Sequence, residues 1–350
     1  MFFSGLVSLS NDGLGLRVWR RGAMAIAFFA LAFLAPLGIH AQTYGVFMKV
    51  ADPVEGSVAE VSARVEEAVV KAGWNLLAAY DVGVDAEQCS YEARVVVVDW
   101  PEFTRVVMSQ GNHGAYAAPL RISVFEDELG VHVAAVNPLS MNRTIVAEEG
   151  MEEEWTRLAR TFRATIRREA GLSPAGGEYG QFREKGRIGR TMGVMAGGPF
   201  VEKFKLIQTV EAGEGGAQAV AQSVFDALSG MEPGGDWGMR PAYVMSAGPG
   251  VAVLGLTGDR MEAKSFSIVG KGSDKNRGDF ACPGLDHAAA YPIEVVFTEE
   301  GGSVNIHMVD AMFRMKMFFE DAGKMSFARN MGMPGSIADE MKSLIESALF

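Results

Sequence analysis

His113-Gly-Ala-Tyr-Ala-Ala-Pro119-Leu-Arg-Ile-Ser-Val124 and His287-Ala-Ala-Ala-Tyr-Pro292-Ile-Glu-Val-Val-Phe297 are two versions of one passage. In each, a histidine leads through small residues to a proline. Apolar positions then alternate with polar ones: Leu120, Ile122 and Val124 in the first version, Ile293, Val295 and Phe297 in the second, at an offset of 173. A period of two sends successive side chains to opposite faces, so each passage is expected to be a strand with one buried face. Acidic turns follow (Glu126 to Gly130; Glu299 to Gly302), and further apolar runs at Val131 to Val136 and Val304 to Val309 complete two hairpins.

Correspondence extends outward from these hairpins. Val58, Val61, Val65 and Val69 recur at helical spacing behind a Ser57/Glu60 capping box, with Gly73 as the stop; Val220, Val224 and Leu228 recur before Gly230. Trp74 to Tyr80 matches Trp237 to Tyr243 at Trp, Ala and Tyr, an offset of 163. Closing helices pair Trp155, Ala159, Phe162 and Ile166 with Ile337, Met341, Leu344 and Ala348 at an offset of 182. The polar stretch Thr257 to Phe280 is expected to be a loop inserted in the second copy.

The expected fold class is α+β, with two similar modules. Each is a mostly antiparallel sheet packed with helices, and the two form an internal pseudo-dimer. The chain divides into residues 1–41 as an export signal, 42–170 as the first module, 171–200 as a Gly-rich linker, and 201–350 as the second, divergent module.

At 350 residues, 48% of them hydrophobic, with a net charge of −11 and two cysteines, the chain has enough apolar content for ordinary cores and too few cysteines for a disulfide scaffold. Its acidic balance and lack of a basic block argue against a nucleic-acid partner. Arg17, Arg20 and Arg21 precede the uncharged stretch Gly22 to Ile39, which ends in Ile39-His40-Ala41 before Gln42. That order is expected of a cleaved signal, giving a periplasmic or secreted protein without a membrane span; left uncleaved, the same stretch would anchor the chain in the membrane.

The arrangement over residues 44–170, with Ala118-Pro119-Leu120-Arg121-Ile122 in the first hairpin strand and Val136-Asn137-Pro138 before a helix, resembles the domain of unknown function 302 family. The second module is similar in outline only: Tyr291-Pro292-Ile293-Glu294 replaces Ala-Pro-Leu-Arg, and Asp310-Ala311 replaces Asn-Pro. The resemblance implies a small α+β domain that pairs with another copy, and it implies no catalytic residues.

Candidate chemistry is sparse. His113 and His287 stand before matched strands, where they present imidazoles to a ligand, a metal or haem, or else bond nearby backbone as turn residues. Tyr80 and Tyr243 are the corresponding candidates for a ligand held in the groove between the modules. His307, Met308, Met315 and Met317 are candidate copper ligands through imidazole and soft thioethers, against the alternative that methionines fill core space or a binding groove. Cys89 and Cys282, one in each module, are a candidate disulfide; Cys282 near His287 is also the one hint of a nucleophile and base. No Gly-x-Ser-x-Gly elbow, His-Glu-x-x-His or phosphate-binding loop is present. The expected function is an exported, non-enzymatic binding or structural protein for an unknown small ligand or protein, with no cofactor; the alternative is a copper or haem protein.

Overall fold

Ser57 caps helix α1 (Val58–Lys71) as its spacing with Glu60 dictates: its hydroxyl accepts from Glu60 N, and the Glu60 carboxylate accepts from Ser57 N at 2.8 Å. The computed structural model describes residues 43–350 apart from 88, 147–149, 184–187, 192–195 and 273–283, together with the backbone alone at 52, 188–191, 196 and 197. The expected signal and Cys282 lie outside the described residues. No helix among the described residues is long and apolar enough to cross a membrane.

In the first module β1 (Tyr44–Val54) and α1 are followed by β2 (Asn75–Asp81), β3 (Ala93–Asp99) and α2 (Pro101–Met108). A 3-10 turn (Asn112–Tyr116), β4 (Pro119–Asp127), β5 (Gly130–Val136), α3 (Pro138–Ile145) and α4 (Glu152–Glu169) complete it. After β6 (Glu178–Arg183) and a small hairpin, β7 (Ile188–Thr191) and β8 (Ala196–Gly198), the order recurs. It runs β9 (Phe204–Glu211), α5 (Gly216–Ser229), β10 (Met239–Gly248), β11 (Val251–Gly258), α6 (Asp259–Gly272), a 3-10 turn (Leu285–Ala290), β12 (Ile293–Glu300), β13 (Ser303–Val309), α7 (Ala311–Phe319), α8 (Lys324–Arg329) and α9 (Met333–Leu349).

The sheets run β2-β3-β4-β5-β1-β6 and β10-β11-β12-β13-β9, antiparallel throughout. The fold is α+β with two sheet-and-helix modules, and residues 43–350 cluster into one unit. On one face of the first sheet, α1 and α4 bury Val61, Val65, Trp155 and Phe162, with Trp74 stacked between Trp100 and Phe162. On the second sheet α5 and α9 do the same with Val224, Ile337 and Ile345.

The other faces are where the expectation fails. β4 and β12 were to have one buried face each, yet Arg121, Ser123 and Glu294 are buried as deeply as their apolar neighbours. The cause is reciprocal packing: the Leu285–Ala290 turn lies on β3, β4 and β5, while the Asn112–Tyr116 turn lies on β11 and β12. Each sheet is therefore covered by helices on one side and by the other module on the other.

Three further expectations need correction. The 171–200 segment is not a plain linker, because Glu178–Arg183 joins the first sheet on β1, where Tyr179 is buried against Phe47. The stretch after Thr257 is not all loop: Asp259–Gly272 is helix α6, with Met261, Phe266 and Val269 buried on its inner side. Tyr80 and Tyr243 do not share a position either. With Arg121 and Glu294 matched, their cross-strand partners Val97 and Gly255 match, and these face Ala78 and Tyr243, whereas Tyr80 faces Val95. Gly255 permits the difference, since a Cβ there would lie 2.1 Å from the Tyr243 ring.

Candidate functional site

Arg121 of β4 donates to Glu294 of β12 and to Pro292 O at 3.1 Å; Arg314 of α7 reaches the second oxygen of the same carboxylate at 3.3 Å and donates to Ala290 O and Pro292 O at 2.7 Å. All three residues are buried, and both guanidinium groups lie 4.9 Å from the centre of the Phe318 ring. Such a triad is held by geometry, because two cations taken from water need both the shared carboxylate and the carbonyl acceptors. The phenols of Tyr116 and Tyr243 are buried near Glu294, which together with desolvation keeps both well above the usual tyrosine range. Neither hydroxyl has a hydrogen-bond partner among the described residues.

The two candidate histidines have different surroundings. His287 is fully buried, with Nδ1 3.1 Å from Asp286, Nε2 3.0 Å from Asp321 and its ring stacked on Phe319. Burial by itself would lower its pKa, but the two carboxylates raise it to about 9, so it is an imidazolium locked in an ion cluster. His113 is half-buried on the Asn112–Tyr116 turn, and burial lowers its pKa. Tyr80 lies under the Arg240 guanidinium at 5.6 Å, and burial beside Glu262 raises its pKa well above the usual range.

Glu262 of α6 is a second buried carboxyl at the junction. It accepts from Gly83 N of the first module at 2.7 Å and from the Thr257 hydroxyl. Burial pushes its pKa to about 7 against those two donors.

The open space is elsewhere. Within the second module, α6, α7, α8 and α9 lean over β12 and β13 around a cavity of about 60 Å³ with an almost wholly apolar lining. Met308, Met315, Met333 and Met341 supply thioethers to the wall, joined by Phe319 and Phe327. Unbranched thioether side chains repack around irregular guests, which suits such a wall to a small apolar molecule. Its polar members are few: the Ser265 and Tyr291 hydroxyls 2.6 Å apart, Asn330, and Arg314 of the triad.

The sequence-derived candidates are thus divided. Met308 and Met315 line the cavity. His307 is next to Met308 on one strand and points to the other face, and Met317, two residues from Met315, is turned by about 200° around α7. The proposed copper set is therefore not gathered at one point. No group of three or more His, Cys, Asp or Glu arranged to hold a metal ion occurs among the described residues. His113, His287, Tyr80 and Tyr243 are spread over the module junction, not around the cavity. Cys89 is disulfide-bonded. Arg314, Ser265, Tyr291 and Asn330 were missed by sequence reading. Ala311-Met-Phe-Arg-Met-Lys-Met-Phe-Phe319 held the signal: two cations inside an apolar helix demand buried partners.

Fold and cavity together define an α+β protein of two antiparallel sheets with an apolar cavity in the second module. Residues 50–168, about a third of the chain, match the model of the family described as Domain of unknown function DUF302. Among solved structures it is similar to the crystal structure of uncharacterized conserved protein DUF302 from Bacillus stearothermophilus. The identity is 16% and the TM-score 0.28, with 36% of this chain and 96% of that one covered. No curated protein matches.

Proposed function

We propose that this chain is an exported, non-enzymatic binding protein built from two copies of the DUF302 module, the second of which diverged to hold a small apolar molecule. The methionine-lined cavity under α6 to α9 carries this reading. Repetition of strand order and reciprocal packing of the two 3-10 turns support the duplication. The Arg17 to Ala41 pattern supports export. Under this reading the Cys89 disulfide is made with Cys282, the other cysteine of the chain, in an oxidising compartment.

Methyl NMR of 13C-methionine-labelled protein tests the binding. Toluene is expected to shift the methyl signals of Met308, Met315, Met333 and Met341 saturably and to leave exposed Met325 unmoved, and Ala338→Phe, which fills the cavity, is expected to abolish the effect. Unshifted cavity methyls at millimolar toluene would sink the reading. Export is checked by the intact mass of protein from its native host: a chain beginning at Gln42 is expected, and full-length protein recovered from cytosol refutes it.

A further inference from the structure

Among the described residues, the charges around the cavity do not balance in one place. Beside Phe319, Asp286, Asp321 and Glu320 face His287, Arg183 and Lys316, three anions against three cations. The Arg121–Glu294–Arg314 triad instead sets two cations against one anion, all buried. A buried net charge is costly unless something answers it.

The hydrogen-bond donors show which residue stands ready. Ser265 donates its single hydrogen to Met261 O at 2.8 Å, so Tyr291 is the donor in the 2.6 Å bond between them. Both hydroxyl hydrogens on that wall are committed, leaving only lone pairs. Asn330 uses one amide hydrogen on Ser326 O at 2.8 Å and retains the other. Arg314 spends Nε and Nη2 on Glu294, Ala290 and Pro292, while Nη1 makes no hydrogen bond to the described residues. Arg314 is 6% exposed and belongs to the cavity wall.

We propose that the cavity takes an apolar monocarboxylate, its carboxylate on Arg314 Nη1 and its hydrocarbon part among Met308, Met315, Met333 and Met341. This deepens the binding reading and rests on it. A bound carboxylate supplies the missing anion and accepts from the unused guanidinium edge, and charge-assisted bonds of this kind are the stronger ones. The space admits a small acid, about four to six heavy atoms by the volume one water centre occupies, and more as the methionines repack.

Isothermal titration calorimetry on the whole chain at pH 6, where Glu262 is protonated, tests this with hexanoate, phenylacetate, 1-hexanol and hexylamine. At least one acid is expected to bind ten-fold or more tightly than the alcohol, and the amine more weakly still. The stronger acid distinguishes an aliphatic from an aromatic source. Arg314→Met is expected to reduce the acid to the alcohol's affinity, bringing the ratio of the two measured in the same variant to about one. If this variant does not fold, the comparison in the unaltered chain decides. An alcohol or amine that binds as well as both acids overturns the carboxylate while leaving apolar binding intact; silence from all four probes, with unmoved methionine methyls, removes both.

Discussion

Glu262 is a fully buried carboxyl whose hydrogen-bond partners, the Thr257 hydroxyl and Gly83 N, are neutral. Its pKa rises from 4.5 to about 7 on folding, so within that window the folded chain keeps a proton that the unfolded chain has released. Stability should therefore fall as pH rises from 4.5 to 7, by on the order of 3 kcal/mol. Glu262→Gln should flatten thermal unfolding temperature against pH there and raise stability at pH 8. An unchanged slope would show that Glu262 keeps its ordinary titration. His287 has a different window: its raised pKa contributes stability that is complete below 6.5 and lost as pH climbs through about 9. His287→Asn should lose that alkaline decline and be destabilised at pH 6, where Asp286 and Asp321 are left facing each other without their imidazolium. The same thermal scans check both variants.

At the scale of elements, β4 and β12 occupy corresponding places in their sheets, and their facing residues are an arginine and a glutamate. Two identical modules would set arginine against arginine at this point. With Glu294 at the place in its sheet that Arg121 holds in the other, the contact is an ion pair and not a like-charge one. Removing the shared acid should accordingly cost more than removing one base. Glu294→Met leaves two buried guanidinium groups unpaired and is expected to cost about 3–5 kcal/mol. Arg121→Met leaves Glu294 paired with Arg314, so its cost should stay below about 3 kcal/mol. Urea unfolding midpoints of the two variants rank them, and an equal or reversed order would mean that the triad is not shared as its distances indicate.

The whole molecule is tied across its middle. Besides Arg121–Glu294, Tyr179 of β6 donates to Asp286 O at 2.7 Å, Arg183 Nη2 donates to Lys316 O at 2.7 Å and to Met317 O at 2.9 Å, and Gly83 N donates to Glu262. With buried polar groups on both sides of the junction, separation of the modules would expose charges and apolar surface together. One cooperative transition is expected, with calorimetric and van't Hoff enthalpies equal. Two resolved transitions would mean that the modules unfold independently. A fragment ending at residue 170 lacks β6 and should fold less well than one ending at 183, a comparison that circular dichroism of both fragments makes directly.

Much of this was legible locally. The Ser57/Glu60 cap, the helices α1, α4, α5 and α9 and both hairpins follow from periods of 3.6 and 2, which are properties of neighbouring residues. The likeness to the DUF302 family was legible because its Pro-Leu-Arg-Ile and Asn-Pro motifs are short and contiguous. Arg121, Ser123 and Glu294 could not be placed in this way, since a polar residue in an alternating strand reads as solvent-facing until a second surface covers it. Tyr80 and Tyr243 were mismatched because loops of different length shift strand register without altering a Trp-to-Tyr spacing. Glu178–Arg183 looked like a linker because β-pairing to β1 is a contact between residues 130 or more apart. The cavity was hidden for the same reason, as α6, α7, α8 and α9 meet only after the chain has closed around them. Local sequence determined the elements and the kind of module. Tertiary packing decided which polar groups were buried, which charges met, and where space was left, because burial depends on residues far apart in the chain.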